Sequence, residues 1–324
     1  MSTASPTAAD VRDAARRIGD AVHRTPLLRS RTLGERVGAP VALKAELLQR
    51  SGSFKLRGAL NWVRALPVAE RARGVVTVSA GNHAQSVALA CREAGVDALV
   101  LMPRAASPAK VAAARGYGAT VDLESVDATE AFERMAVVTR ETGRLVLHPF
   151  DDPAVIAGQG TVGLEIVQDA TAPDVVVVPV GGAGLVSGIA LVLKDARPGA
   201  RIIGVQPEAT ATLAASLAAG RPVRGPGRPT LADGLTAPTV GALGLEICAA
   251  LLDDVVTVTE DELRDGLRFL YQRAKLAAEP AGAAAVAALI AGRVPIGDGE
   301  GVVAVVSGGN VSEATVAGVF GAAA

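Results

Sequence analysis

The stretch Ser51-Gly52-Ser53-Phe54-Lys55-Leu56-Arg57-Gly58-Ala59 decides how this chain is interpreted. It places one lysine in a loop of small residues, directly before a segment whose composition favours a helix, Leu56–Leu66. A lysine that forms and breaks an imine needs a depressed pKa and space for a planar partner. Small neighbours leave that space, and the N-terminus of a helix disfavours the ammonium form. On this stretch alone, an ordinary surface lysine in a turn is an equally good interpretation.

The composition excludes several classes of function. Among 324 residues, 32 Lys and Arg nearly balance 33 Asp and Glu, so no net field attracts nucleic acid or anionic lipid. Aromatic residues make up 2% of the chain, too few for a surface that stacks nucleic-acid bases. The two cysteines, Cys91 and Cys248, form neither a disulfide framework nor a metal-type spacing. Since Met1–Asp10 lacks a signal-peptide pattern, we expect a cytoplasmic protein.

Apolar runs of strand length alternate with periodic segments of helix length along the chain, which predicts an α/β protein with doubly covered parallel sheets. The predicted strands are Val41–Lys44, Val75–Val78, Ala98–Met102, Thr120–Leu123, Val175–Val180, Ile202–Val205, Val255–Val258 and Val302–Val306. The predicted helices include Ala84–Glu93, Pro108–Arg115, Ala128–Thr142, Leu185–Leu193, Glu260–Arg273 and Gly282–Ile290. We expect residues 74–150 to form a small domain inserted into a large domain of residues 1–67 and 151–324.

A glycine-rich loop, Gly181-Gly182-Ala183-Gly184-Leu185, follows one of the apolar runs and opens a helix. Glycine there lets backbone N–H groups approach an anion, so the loop is a candidate phosphate cradle. A dinucleotide-binding turn needs the spacing GxGxxG and an acid at the end of the next strand, where this chain has Ser187 and Gln206. A plain tight turn remains the alternative at this point.

Two further polar segments follow predicted strands, where α/β sheets present ligand-binding groups. The first is Ser79-Ala80-Gly81-Asn82-His83-Ala84-Gln85, in which Asn82 has the character of a helix N-cap. A helix N-terminus with hydroxyl and amide groups also suits a substrate carboxylate. The second is Ser307-Gly308-Gly309-Asn310, for which a simple turn is the alternative.

Taken together, these segments resemble those of the fold-type-II pyridoxal-phosphate enzymes, the group similar to tryptophan synthase β, and most closely the threonine/serine dehydratases and their relative serine racemase. The matching motifs cover nearly the whole chain, from Arg24-Thr25-Pro26-Leu27 to Ser307-Gly308-Gly309-Asn310. Between them lie Leu43-Lys44-Ala45-Glu46, Met102-Pro103, Tyr117-Gly118-Ala119, His148-Pro149-Phe150-Asp151-Asp152, Gly158-Gln159-Gly160-Thr161, Ala232-Asp233-Gly234 and Glu279-Pro280-Ala281-Gly282-Ala283. Each motif is modest alone, but their shared order is specific.

The resemblance implies pyridoxal 5′-phosphate as cofactor, bound by the large domain, and assigns a role to each matching residue. Lys55 would carry the cofactor and act as catalytic base, and Phe54 would pack against the cofactor ring. Asn82 would hydrogen-bond the ring oxygen, and Ser307 would face the pyridine nitrogen. The phosphate would be held by the backbone of Gly181, Gly182, Ala183, Gly184 and Leu185. The substrate would lie against Ser79, Ala80, Gly81, Asn82 and His83.

The implied reaction is β-elimination of L-threonine or L-serine to 2-oxobutanoate or pyruvate and ammonia, in a homodimer or homotetramer. A neutral hydroxyl at Ser307 makes the ring a weaker electron sink, which suits prompt elimination better than transamination. The alternatives are another β-hydroxy amino acid such as 3-hydroxyaspartate or phenylserine, serine racemisation, a β-replacement reaction, or a catalytically silent binding protein.

Departures from the pattern of the racemases sharpen these expectations. Ala80 stands where racemases of the group carry a second acid/base serine, and Phe150 follows the dehydratase pattern, so we expect little racemisation. Gln206 and Thr212 stand where a racemase-like divalent site has acids, so we expect no tightly bound Mg²⁺ or Ca²⁺, with a weak monovalent ion as the alternative. Ala183 replaces a glycine that is common in the group, and we expect its methyl group to be tolerated.

Overall fold

The computed structural model describes residues 4–321, which form two β-sheets covered by α-helices. The strands are β1 Leu27–Arg29, β2 Val41–Ala45, β3 Val75–Val78, β4 Ala98–Leu101, β5 Thr120–Asp122, β6 Leu145–Val146, β7 Val175–Pro179, β8 Arg201–Pro207, β9 Asp254–Val258 and β10 Val302–Val306. The helices are α1 Ala8–Ile18, α2 Arg31–Val37, α3 Lys55–Ala65, α4 Val68–Arg71, α5 Asn82–Ala94, α6 Pro108–Gly116, α7 Ala128–Thr142, α8 Pro153–Asp169, α9 Gly184–Ala196, α10 Thr212–Ala219, α11 Ala242–Leu251, α12 Glu260–Phe269, α13 Pro280–Ile290 and α14 Glu313–Phe320. Within the described residues, no helix combines the length and the apolar character that a membrane crossing requires.

The larger sheet has six strands in the order β1-β2-β10-β7-β8-β9. Every residue of β7 and β10 is buried, because helices cover both faces of the sheet. Ala304 and Val306 pack with the alanine-rich helix α13 on one face, whereas Val303 and Val305 pack with α9 on the other. Successive side chains of β10 therefore lie on opposite faces of the sheet and belong to two separate apolar layers.

The smaller sheet has four parallel strands in the order β5-β4-β3-β6. Helices α5 and α6 pack against one face, with Val87 and Val111 in the same apolar cluster as Val75 of β3 and Val100 of β4. Helix α7 covers the other face, where Met135 packs with residues of β3 and β4. All strands of this sheet lie between residues 75 and 146.

The structure confirms the α/β class and all eight predicted strands, and the sheets are parallel except at one edge. Strand β1 pairs antiparallel with β2 at the edge of the larger sheet. The sequence analysis missed β1 and β6, because strands of three and two residues contain no apolar run. Strands β2, β10 and β7 are parallel neighbours, so their carboxyl ends lie side by side and place the loops that follow them next to one another.

Candidate active site

Lys55 is the first residue of α3 and lies where β2 leads into that helix. Its Nζ donates a hydrogen bond to the carbonyl oxygen of Pro149 at 2.7 Å and lies 5.3 Å from the centroid of the Phe54 ring. Removal of water from around the amine lowers the pKa of Lys55 to about 8. The amine is therefore far more readily neutral than that of a surface lysine, as an imine-forming lysine requires.

The loop that carries Lys55 is tied to the loop that carries Ser307 by strand-like contacts. Ser53 and Gly308 form an antiparallel bridge, and the N–H of Phe54 donates to the carbonyl of Ser307 at 3.2 Å. The N–H of Gly309 donates to Gly52 O at 2.9 Å. Ser307 is buried, with 4% of its surface exposed. The structure thus places the Lys55 loop and Ser307 side by side.

Asn82 is the first residue of α5 and does not cap it, because the capping position is Gly81. Its side-chain amide is instead paired at both ends. Asn82 Nδ2 donates to Glu279 Oε1 at 2.6 Å, and Asn82 Oδ1 accepts from Asn310 Nδ2 at 2.8 Å. These bonds join the end of β3 in the smaller sheet to two loops of the larger one.

Glu279 and Asn310 were not assigned site roles from the sequence, although both lie in motifs that carried the resemblance. Burial raises the pKa of Glu279 to about 7, an effect opposed by the hydrogen bond from Asn82. Asn310 Nδ2 also donates to Ser51 O at 2.8 Å. The usable signal in the sequence was an acid directly before Pro280, where it stands at the N-terminus of α13.

The glycine-rich loop lies between β7 and the first residue of α9, Gly184. The capping residue Ala183 supplies no side-chain acceptor, and the first turn holds no acid, so the N-terminus of α9 suits an anion. A Cβ at Gly182 would lie 2.3 Å from Cγ of Phe150, so only glycine fits there. Ala183 has the left-handed φ of +75°, and its methyl group is buried in the cluster that contains Leu245. The methyl therefore packs into the core of the protein.

The motif His148-Pro149-Phe150-Asp151-Asp152 forms a turn that several side chains hold in place. The Nδ1 atom of His148 accepts from the N–H of Asp151 at 2.9 Å. The Asp152 carboxylate caps α8, and Asp151 accepts from the first-turn N–H groups of α11 at 3.0 Å. This turn presents Pro149 O to Lys55 and places the ring of Phe150 against the glycine-rich loop.

Both histidines near Lys55 are neutral at physiological pH. Burial lowers the pKa of His148 to about 4, and burial together with the charge of Lys55 holds the pKa of His83 well below its usual range. His83 Nε2 lies 3.3 Å from Leu147 O, while its buried Nδ1 has no hydrogen-bond partner among residues 4–321. His83 therefore keeps a free acceptor, and its predicted contact with substrate stays a prediction.

Ser79, Ala80 and Gly81 connect β3 to α5 and are partly buried. The hydroxyl of Ser79 accepts from the N–H of Gly81 at 3.1 Å, which holds the turn. The segment thus lies at the carboxyl end of its strand, as the sequence analysis expected, next to Asn82. Its contacts with substrate also stay a prediction.

Gln206 and Thr212 are bonded to each other rather than arranged for a metal ion. Gln206 Nε2 donates to Thr212 Oγ1 at 3.1 Å and to Val180 O at 3.3 Å, and Gln206 Oε1 accepts from the N–H of Leu213 at 2.7 Å. No group of three or more His, Cys, Asp or Glu side chains in the described part of the chain is arranged to hold a metal ion. Neither side chain supplies the carboxylate charge that a divalent cation prefers, and the absence of tightly bound Mg²⁺ or Ca²⁺ here stays a prediction.

Several known proteins are similar to this chain. Residues 18–308 match the family described as "Pyridoxal-phosphate dependent enzyme". The chain is 46% identical to the L-threonine ammonia-lyase of Thermotoga maritima over 305 residues, which cover 94% of this chain and 76% of that protein. It is similar to the solved structure of a threonine deaminase from T.th., with a TM-score of 0.88, 42% identity, and coverage of 95% and 99% of the two chains. The structure of maize serine racemase is also similar, with a TM-score of 0.92, 35% identity, and coverage of 97% and 96%.

The chain belongs to the family of pyridoxal-phosphate dependent enzymes. The residues present fit that cofactor. A lysine amine with a lowered pKa, a buried serine and a glycine-rich loop at a helix N-terminus lie on the adjacent ends of β2, β10 and β7. The shape of the loop fits as well, since the Phe150 ring excludes any side chain at Gly182.

Proposed function

We propose that this enzyme is an L-threonine ammonia-lyase that converts L-threonine to 2-oxobutanoate and ammonia, with L-serine as a second substrate that yields pyruvate. The observation that carries the proposal is the placement of the Lys55 amine, with its lowered pKa, beside the Ser307 loop. The 46% identity to an L-threonine ammonia-lyase over 94% of the chain supports the choice of substrate.

Each site residue receives a role in this proposal. Lys55 attaches the cofactor, Phe54 packs against its ring, and Asn82 and Ser307 contact the ring oxygen and ring nitrogen. Backbone N–H groups of the loop Gly181, Gly182, Ala183, Gly184 and Leu185 hold the phosphate. When bound, pyridoxal phosphate supplies the electron-withdrawing ring that acidifies the Cα–H bond of an attached amino acid.

Lys55 then serves as the general base. With its pKa at about 8, roughly a tenth of the Lys55 amines are neutral at pH 7, against fewer than about one in a thousand for an ordinary lysine. A base whose pKa lies near the working pH is the most effective, and Nζ takes the Cα proton of the substrate. The hydrogen bond to Pro149 O orients the amine without adding a counter-charge that would favour the ammonium form.

The substrate carboxylate lies at the N-terminus of α5 in this proposal, against Ser79, Ala80, Gly81, Asn82 and His83. No side chain caps this helix, and the free N–H groups of its first turn favour an anion. Ala80 carries no group that transfers a proton to Cα. This supports elimination over racemisation, although the TM-score of 0.92 to maize serine racemase is higher than the 0.88 to the threonine deaminase.

We also propose that residues 74–150 act as a small domain inserted into a large cofactor-binding domain of residues 1–67 and 151–324. The separate four-stranded sheet supports this division. We propose further that the enzyme works in the cytoplasm as a homodimer or homotetramer. The free, buried Cys91 and Cys248 suit a reducing compartment.

The test is an assay of the cofactor-loaded protein with a panel of L-β-hydroxy amino acids. Ammonia, 2-oxo acid and the chirality of the remaining serine are measured, with Lys55→Ala as the inactive control. Release of 2-oxobutanoate from L-threonine without formation of D-serine is expected. If threonine and serine stay unchanged while 3-hydroxyaspartate or phenylserine is consumed, the substrate assignment is wrong. Normal turnover by Lys55→Ala would overturn the role of Lys55.

A further inference from the structure

Four charged side chains form a buried network behind Lys55. The guanidinium of Arg57 donates to both oxygens of Glu46 at 2.8 Å, from Nε and Nη2. It also donates to Glu165, from Nη1 at 2.7 Å and from Nη2 at 3.0 Å. Lys44 Nζ donates to Glu165 Oε2 at 2.5 Å and to Thr25 O at 2.6 Å. Lys44, Glu46 and Arg57 are fully buried, and the two cations balance the two carboxylates.

Stability alone is a weak explanation for such a network. Removing four charges from water is costly, and well-packed apolar residues of similar volume often give an equally stable core. In addition, nearly every N–H group of the Arg57 guanidinium donates a hydrogen bond, since the guanidinium also donates to Thr161 Oγ1 at 3.3 Å and to His23 O at 3.3 Å. A guanidinium with so many hydrogen bonds holds its own residue in a fixed position, because its planar set of N–H groups fits its acceptors in one geometry.

The network acts on the turn that begins with Lys55. Arg57 lies in the first turn of α3, two residues after Lys55, and no side chain caps that helix. Its carboxylate partners are Glu46, the residue directly after β2, and Glu165 of α8. A second contact from α8 is the bond from the N–H of Gly58 to Gln159 Oε1 at 3.2 Å. A Cβ at Gly158 would lie 2.6 Å from Cα of Gly58, so the two helices touch backbone to backbone. The start of α3 is therefore fixed by side chains that never reach the active site.

We propose that Arg57, with Lys44, Glu46 and Glu165, is a positioning device that fixes the first turn of α3 and so holds the amine of Lys55 against Pro149 O. This inference rests on the proposed role of Lys55. Because the four charges sum to zero, the network holds the lysine without imposing a net charge on it. Burial is accordingly the cause of the low pKa of Lys55.

The test compares three variants of the network with one control in the same helix. Arg57→Lys keeps the positive charge but loses the planar set of N–H donors. Glu46→Gln leaves the network with an excess positive charge, and Arg57→Met leaves it with an excess negative charge. The control is Leu60→Ala, which removes a fully buried apolar contact of α3 and no charge. For each cofactor-free protein, the rate at which pyridoxal phosphate attaches is followed by visible absorbance as a function of pH. Thermal unfolding, kcat and KM are measured beside it.

We expect Arg57→Lys to slow attachment and lower kcat by about tenfold or more, with KM for threonine changed less than about threefold. The pH midpoint of attachment moves down in Glu46→Gln and up in Arg57→Met, by about half a unit or more. Leu60→Ala lowers the unfolding temperature and leaves the pH midpoint unchanged. If Arg57→Met does not fold, Arg57→Lys and Glu46→Gln decide the question.

The proposal is overturned if Glu46→Gln keeps the wild-type pH midpoint and Arg57→Lys loses activity only in proportion to its unfolding temperature, as Leu60→Ala does. Attachment of the cofactor is measured without turnover. A wild-type protein that attaches pyridoxal phosphate and leaves threonine unchanged therefore defeats the proposed function, while the attachment profiles still test the network.

Discussion

Replacing Glu279 with glutamine should remove a pH dependence of the stability of the cofactor-free protein. Glu279 is 6% exposed, and burial raises its pKa from 4.5 to about 7. Asp233 raises this pKa further, whereas the hydrogen bond from Asn82 and the charge of Lys110 lower it. Glutamine keeps an oxygen that accepts from Asn82 Nδ2 and cannot titrate.

The sign and size of the effect follow from the two pKa values. A carboxyl group whose pKa is raised by folding stays protonated in the folded protein at pH values where the unfolded chain has lost the proton. Its contribution to stability is complete below about pH 4.5 and is lost as the pH rises through about 7. A difference of about 2.5 pKa units corresponds to roughly 3 kcal/mol of unfolding free energy.

The measurement is urea unfolding of the cofactor-free wild type and Glu279→Gln at several pH values between about 4.5 and 8. Between these limits the wild type should lose roughly 3 kcal/mol more than the variant. The control is Glu35→Gln, because the side chain of Glu35 is 68% exposed. Parallel pH profiles for wild type and Glu279→Gln would refute the reasoning, since the carboxyl group would then titrate alike in both states.

Three further substitutions have expected outcomes. Gly182→Ala places a methyl group 2.3 Å from Cγ of Phe150 and should weaken pyridoxal phosphate binding about tenfold or more in an equilibrium titration. The control is Gly181→Ala, whose methyl group would have its nearest neighbour 3.4 Å away and which should bind the cofactor almost normally. Ala183→Gly should change that affinity less than about threefold, because the methyl group is buried in the core. Gln206→Glu should lower the unfolding temperature and recover part of the loss with Mg²⁺, while Mg²⁺ leaves the wild type unchanged.

Sequence patterns predicted the strands that are buried on both faces of their sheet. They failed for strands whose sequence contains no apolar run. The run Val175–Val180 is apolar at every position, and β7 is indeed buried on both faces of its sheet. Strand β1 carries no such run, and it pairs antiparallel with Lys44, Leu43 and Ala42 across a connection that contains helix α2. The order of strands is also beyond local patterns, since β10 pairs with β2 and β7 through contacts distant in sequence.

The candidate site could be proposed from the sequence only through the shared order of several motifs. Taken alone, the Lys55 stretch and the glycine-rich loop each had an ordinary turn as the alternative. Asn82 was ambiguous, because a residue that favours helix caps also suits ligand binding, and its partners decide between the two. Those partners, Glu279 and Asn310, lie about 200 residues further along the chain, and no short-range pattern brings them together.

The position of β10 sets the order in which the site can form during folding. Strand β10, Val302–Val306, follows β2 and β7 along the chain, yet it lies between them in the larger sheet. The Lys55 loop follows β2 and the glycine-rich loop follows β7, so the two loops are held at their observed separation only once β10 has been inserted. We therefore expect a partly folded chain that lacks β10 in the sheet to have no assembled binding site.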